Sequence, residues 1–310
     1  MDLPPEYNKI FDKKLIIITG VARSGTTLLG KIVGSFSNAH YCFEPHTFIL
    51  IPPLIQKGYL SEKQGSELLK ALLFEELFLQ ILHGRYVNFN KNEDSYIGNY
   101  IDPEAIKLRW KNYKRRKDII EYLKNYDYLF ILKIPNIQPI LETVKKIFKG
   151  VKLIHVIRDG NDVVSSSVRR DFYSRDYLNK RSIDWSEEIN SLKEPWFIDK
   201  KNQGLFFKWN YYTRAAYIWR ILTEMGLKFA DHNKTNVLQL KHEDFIKNPI
   251  FLLGKIEEFS GQNRTHISMR HIETIKSYKQ REYPDNTTNI ELPEREKFVK
   301  LRKKLGYIKL

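Results

Sequence analysis

A single cysteine, Cys42, is all the thiol chemistry that this chain of 310 residues carries. One thiol closes no intrachain disulfide and builds no cysteine-based zinc site. Flanked by Tyr41 and Phe43, it reads as a plain buried residue rather than a reactive one. The eight histidines are scattered, with no HExxH or HxH cluster, so no metal is expected. No apolar run approaches the roughly 18 residues that a membrane-crossing helix needs. The opening stretch, MDLPPEYNKIFDKK, has no apolar h-region, which argues against a secretory signal. A soluble, cytoplasmic protein is therefore the expectation. Zinc-finger, RNA-recognition and KH signatures are missing as well.

Positive charge is abundant. Lys and Arg number 52 against 37 Asp and Glu, a net charge of +15. Such a balance favours acidic partners: nucleic acid, an anionic membrane surface or an acidic substrate. The basic residues are spread out, with local concentrations at 111–117 (KNYKRRK) and 300–304. A dianionic nucleotide and an acidic acceptor account for this charge without a nucleic-acid partner. Peripheral contact with a membrane stays open. Apolar residues make up 42% of the chain, enough for a sizeable core, and the length suits one large α/β domain or two small ones.

The chain is organised around LIIITGVARSGTTLLGKIVG, residues 15–34. Leu15 to Ile18 form a β-branched apolar run that suits a strand buried on both faces. Gly20, Ser24 and Gly25 follow, where the backbone must turn tightly. Leu28, Leu29, Ile32 and Val33 then repeat at helical spacing. Strand, glycine-containing loop and helix together bring backbone N–H groups and a helix dipole to one point, an anion site. Gly20 and Gly25 have the spacing of the ATP-binding loop, G-x-x-x-x-G-K-[ST], but Thr26 replaces its lysine and the cation, Arg23, sits inside the loop. A loop without that lysine suits a shorter anion, such as a phosphosulfate, better than a triphosphate.

GVARSGTTLL resembles the 5′-phosphosulfate loop of sulfotransferases that use 3′-phosphoadenosine 5′-phosphosulfate (PAPS). Its Arg-Ser-Gly-Thr-Thr form is similar to the Golgi carbohydrate and tyrosylprotein branches; the aryl sulfotransferases of the cytosol have Lys-Ser-Gly-Thr-Thr-Trp. The resemblance implies an α/β fold, a parallel sheet flanked by helices as in nucleotide kinases. It also implies a phosphosulfate held by Arg23, Ser24, Gly25, Thr26, Thr27 and Leu28, no metal, and adenosine 3′,5′-bisphosphate (PAP) as product.

Residues 40–43 read as a second parallel strand ending at Glu44, and catalytic groups of open α/β sheets sit at such carboxyl ends. In the tyrosylprotein-like branch a glutamate one helix after the loop acts as base, and the spacing from Arg23 to Glu44 matches. His46 is the nearest competitor. Tyr128 to Ile134 form a buried strand that carries Lys133 near its end, a costly place for a charge. By resemblance Lys133 points to the phosphosulfate and stabilises the leaving group. The Lys-x-His of aryl sulfotransferases is absent here, which again assigns the base to Glu44. A further strand, 151–157, runs into RDGNDVVSS. This resembles the 3′-phosphate motif, with Arg158 at the strand end and Ser166 in the next helix. Its strand, turn and helix look like a second anion site, while His155 reads as a core histidine.

Residues 47–125 read as a helical insertion covering the acceptor, with helices from Ser61 to about Leu82 and from Asp102 to about Lys124. Residues 171–201 read as a polar, tyrosine-rich loop with short helices. The segment KHEDF, 241–245, resembles a structural element of the family, so Glu243 and Asp244 read as caps and packing partners. Tyr278 to Arg281 are the candidate for a loop closing over the nucleotide, and 290–310 read as a basic amphipathic helix. The resemblance spans 15–170, with weaker support to 261, within a single domain over 1–310. The expected acceptor is a hydroxyl, on carbohydrate or peptide tyrosine rather than a small phenol. The rival readings are a P-loop NTPase or kinase acting on a small molecule, and a non-enzymatic polyanion-binding protein.

Overall fold

Residues 15–78, 82–83, 87–180, 186–189, 192–277 and 283–308 are described in a computed structural model of the chain. Five strands form a parallel sheet: β1 (Leu15–Gly20), β2 (Ala39–Phe43), β3 (Leu129–Lys133), β4 (Lys152–Ile157) and β7 (Val237–Lys241), in the order β2-β3-β1-β4-β7. β1 and β3 are buried at every position, which is why their sequences run apolar without alternation. Edge strand β2 alternates between buried and half-buried positions.

Helices cover both faces. On one, Leu29, Ile32 and Val33 of α1 (Thr26–Gly34) pack with Ile16, Ile18, Ile131 and Ile154. On the other, Phe48 and Ile51 of α2 (His46–Gln56) pack with Leu15, Ile17, Phe130 and Leu132. A third cluster joins three helices, α7 (Gly160–Arg169), α9 (Tyr211–His232) and α13 (Glu294–Lys304), through Val163, Val164, Trp219 and Phe298. This is the expected α/β arrangement.

The register sets the site. Phe43 and Ile18 both lie opposite Lys133, Gly20 opposite Val156, and Ile157 opposite Lys241. The strands therefore finish along one sheet edge, and the chain leaves that edge at the β1 loop, Glu44, Asn136, Arg158 and His242.

The helical block differs from expectation in its breaks. The helix that opens at Ser61 has the expected capping box with Gln64, but its α-helical part, α3, ends at Leu72 (Glu62–Leu72). One π-helical stretch follows, Leu73–Phe78, and residues 79–81 lie outside the described residues. The single helix expected from Asp102 to Lys124 is two, α4 (Pro103–Asn112) and α5 (Arg116–Asn125). Tyr113 leaves the helical region, and Asp118 accepts from the Arg115 N–H to start a new helix within the basic run. In the stretch read as a loop with short helices, one short helix is present, α8 (Arg175–Lys180), and an unexpected antiparallel hairpin follows, β5 (Ser186–Ile189) and β6 (Leu192–Pro195). The final helix is present as α13; the loop candidate Tyr278 to Arg281 lies outside the described residues.

Candidate functional site

The β1–α1 loop is held from below and from the side. The Ser24 N–H donates to the Val21 carbonyl at 3.0 Å, and the Ala22 N–H donates to Asn136 Oδ1 at 2.8 Å. Gly25 has φ +89°, a left-handed geometry, and a Cβ there would overlap the His242 ring. With glycine as N-cap, no side chain caps α1. The N–H groups of Thr26, Thr27 and Leu28 thus lack intrahelical partners and mark an anion site. The Ser24 N–H does not join them, because the turn consumes it. The Ser24 hydroxyl is buried and without a hydrogen-bond partner.

Arg23 links the two expected loops. Its Nε donates to Ser166 Oγ at 3.1 Å, across 143 residues of sequence. Arg158 Nη1 donates to the Arg23 carbonyl at 3.0 Å, and Nη2 pairs with Asp162 at 2.9 Å. Its Nε is buried and unpartnered. Burial, with Arg170, Arg158 and Arg169 nearby, lowers the Arg23 pKa. Cations gathered this way, beside orphaned donors, fit a bound polyanion. A cleft of about 350 Å³ runs between the loops, lined by Arg23, Gly25, Thr26, Thr27, Leu28 and Arg158.

The second helix start is not an anion site, contrary to expectation. Asp159 caps α7, accepting from the Asn161 N–H at 3.1 Å, and it also holds Arg302 through bonds of 2.7 and 3.0 Å. A carboxylate already fills that helix end, and of this turn it is Arg158 that lines the cleft. Ser166 is buried and reaches the cleft only through Arg23.

A neighbouring cavity of about 200 Å³ shares Arg23, Thr26 and Thr27 with the cleft and adds Glu44, Lys133, Asn136 and Tyr173. Glu44 and Lys133 form an ion pair across β2 and β3. Lys133 is buried, and its Nζ also stands 4.0 Å from the centroid of the Phe43 ring. Burial lowers the Lys133 pKa, and the Glu44 carboxylate opposes that shift. Six described non-glycine residues have positive φ, and four of them, Arg23, Glu44, Asn136 and Tyr173, line this one cavity. Backbone strain of about 1–3 kcal/mol per residue concentrates where chemistry is done. His46 is exposed at the start of α2 and does not line the cavity.

His242, within a segment read as structural, lines the cleft with Ile246, Thr274 and Ile275. Burial, helped by Arg158, pushes its pKa down to about 4, so the ring is neutral near pH 7. Its position at the carboxyl end of β7 was the available signal. Glu243 does act as a packing partner, accepting from the Asp159 N–H at 2.9 Å and from the Tyr307 hydroxyl at 3.0 Å. His155 is a core residue as read.

The profile described as "Sulfotransferase family" matches residues 16–265. The chain belongs to the sulfotransferase family. Among solved structures, it is similar to the sulfotransferase domain of the Synechococcus PCC 7002 olefin synthase, at 19% identity and TM-score 0.50, covering 96% of this chain and 97% of that one. It is also similar to the sulfotransferase domain of the curacin biosynthetic pathway, at 15% identity and TM-score 0.50, covering 96% and 98%. A mouse sulfotransferase solved in complex with PAP matches at 16% identity and TM-score 0.36, covering 87% and 68%. At these identities the first two likenesses speak for the sulfotransferase fold alone. No curated protein matches the chain in sequence. No helix among the described residues of this sulfotransferase is long and apolar enough to cross a membrane.

Proposed function

We propose that this sulfotransferase transfers the sulfuryl group of PAPS to an acceptor hydroxyl and releases PAP, with Glu44 as base. The observation that carries the reading is the adjacency of the two cavities: Arg23, Thr26 and Thr27 line both the cleft that reaches Arg158 and the cavity that holds Glu44 and Lys133. One extended polyanion can lie along the cleft with its reactive end at the carboxylate.

Arg158 grips the 3′-phosphate, an arrangement suited to bidentate binding, and Ser166 holds Arg23 in line. Arg23, Lys133 and the N–H groups of Thr26 to Leu28 hold the phosphosulfate. Glu44 takes the acceptor proton as the acceptor oxygen bonds to sulfur. The bond from sulfur to the bridging oxygen breaks, and Lys133 and Arg23 stabilise the charge that the bridging oxygen gains. Catalysis is then positioning plus charge stabilisation, as in phosphoryl transfer. His242, Ile246 and Ile275 are placed to flank the nucleoside. The loop and Glu44 favour the carbohydrate and tyrosylprotein branch, with acceptors of that kind, in one domain working in the cytoplasm.

The test is transfer of labelled sulfate from PAPS to an acceptor panel, with calorimetry of PAP and ADP alongside. Micromolar PAP binding without magnesium, weaker ADP binding and labelled product support the reading. Magnesium-dependent ATP turnover, or tight binding of random DNA with no preference for PAP, overturns it.

A further inference from the structure

Glu44 also lines a second, more enclosed cavity. Its volume is about 120 Å³, and it shares Pro135, Asn136 and Tyr173 with the cavity that holds Lys133. Its walls include Ile49 and Pro53 of α2, Ile137 and Ile140 after β3, and Trp196 and Phe197 just after β6. Of its thirteen lining residues, Glu44 alone is charged and Asn136 alone carries an amide. The Asn136 oxygen is already committed to the Ala22 N–H. The Trp196 and Phe197 rings meet edge to face, with centroids 5.9 Å apart and planes at 87°.

We propose that the acceptor hydroxyl is borne by an apolar body, an aryl ring or an alkyl chain, which seats in this cavity and presents its oxygen to Glu44. This rests on the reading of Glu44 as the base. At about 10–15 Å³ for each water-sized group, the cavity has room for roughly eight to twelve heavy atoms. That is the size of a substituted phenyl ring or a medium alkyl chain. Perpendicular aromatic walls suit either one. A hexose of similar size brings several hydroxyls, which lose water on entry and outnumber the few polar groups of a mainly apolar lining, so burial works against it. Apart from the Glu44 carboxylate the lining carries no charged side chain. The cavity therefore favours a phenolic ring, as in tyrosine, or an aliphatic alcohol over a sugar.

PAP-saturated protein titrated calorimetrically with 4-propylphenol, 1-octanol and methyl glucoside tests the seat directly, and the same three compounds are offered as acceptors with PAPS. We expect at least one apolar compound to bind and to be sulfated, with kcat/KM at least 30-fold above that of the glucoside; which of the two leads separates ring from chain. Phe197→Ala should raise KM for that compound about tenfold while PAP affinity and kcat stay near wild type. Ile49→Ala serves in the same way if the first variant fails to fold. Equal sulfation of the glucoside, or no binding of either apolar compound by protein that does bind PAP, overturns the proposal and leaves the sulfotransferase reading standing. Failure to bind PAP brings down both.

Discussion

Glu44 and Lys133 form an ion pair whose partners differ sharply in burial: the lysine side chain is 2% exposed and the glutamate 36%. Strand register puts them there, because Phe43 and Lys133 are neighbours across β2 and β3. Burial disfavours the charged lysine, and the carboxylate is its paired anion among the described residues. In the proposed reaction a phosphosulfate beside Lys133 would supply a second anion to share its proton donors, which would release the carboxylate to meet the acceptor.

Glu44→Gln removes the proposed proton acceptor but leaves an amide oxygen for Lys133. Turnover should fall about 10²- to 10⁴-fold, the usual share of a general base. PAP affinity should stay within a few-fold of wild type. Initial rates at saturating PAPS, set beside calorimetric PAP binding, read the two effects apart. Wild-type turnover in this variant would move the base elsewhere.

Arg158→Ala tests the 3′-phosphate grip. Two charge-assisted bonds of about 1.5–3 kcal/mol each are removed, so PAP affinity should fall at least roughly 100-fold. The fold should hold, since Trp219 Nε1 donates to the Arg158 backbone carbonyl, which the variant keeps. Adenosine 5′-phosphosulfate lacks the 3′-phosphate, so its affinity should change little. Equal losses for both nucleotides would mean that Arg158 supports the loop rather than the phosphate.

The β1 loop was legible because its signal is local: an apolar run, glycines at fixed spacing and a helical repeat within twenty residues. The strand-end rule likewise reached Glu44, Lys133 and Arg158. Pairings set by topology were not legible. Arg23 meets Ser166, and Arg302 meets Asp159, each across 143 residues, and neither partner's identity announces the other. Capping of α7 by Asp159 was written in the sequence as an Asp before Gly160. The same strand-turn-helix pattern also fits an anion site, and only the fold separates the two. His242 looked structural until β7 was seen beside β4, which aims it at the cleft. The hairpin β5–β6 lies in a polar stretch with no clear alternation, so periodicity carried no message there.

Buried histidines should make the protein sensitive to acid. Burial lowers the pKa of His155 to about 4, and that of His40 well below its usual value. Between pH 6.5 and 4 the unfolded chain binds protons that the folded chain refuses, so stability is full above 6.5 and declines as pH falls through this window. His155 alone accounts for a loss of up to about 3 kcal/mol at the acid end. Thermal melts from pH 7.5 to 4.5 should show this decline, and His155→Gln should flatten it whatever its effect at pH 7.5. An unchanged slope in the variant would place the acid response in other groups.

Gly25→Ala should injure nucleotide binding through two separable faults. The left-handed φ of +89° penalises any side chain by roughly 1–2 kcal/mol, and the new methyl would overlap the His242 ring. Only the second fault depends on His242. His242→Ala alone should weaken PAP modestly, since it removes one wall of the cleft and leaves the loop intact. Adding it to Gly25→Ala opens the space that the methyl needs. The double variant should therefore bind PAP more tightly than Gly25→Ala by itself, about five- to tenfold, while staying short of wild type because the backbone penalty remains. A calorimetric cycle over the four proteins measures this coupling. Strictly additive losses would mean that the ring and the glycine do not meet in solution, and that His242 has another reason to face the cleft.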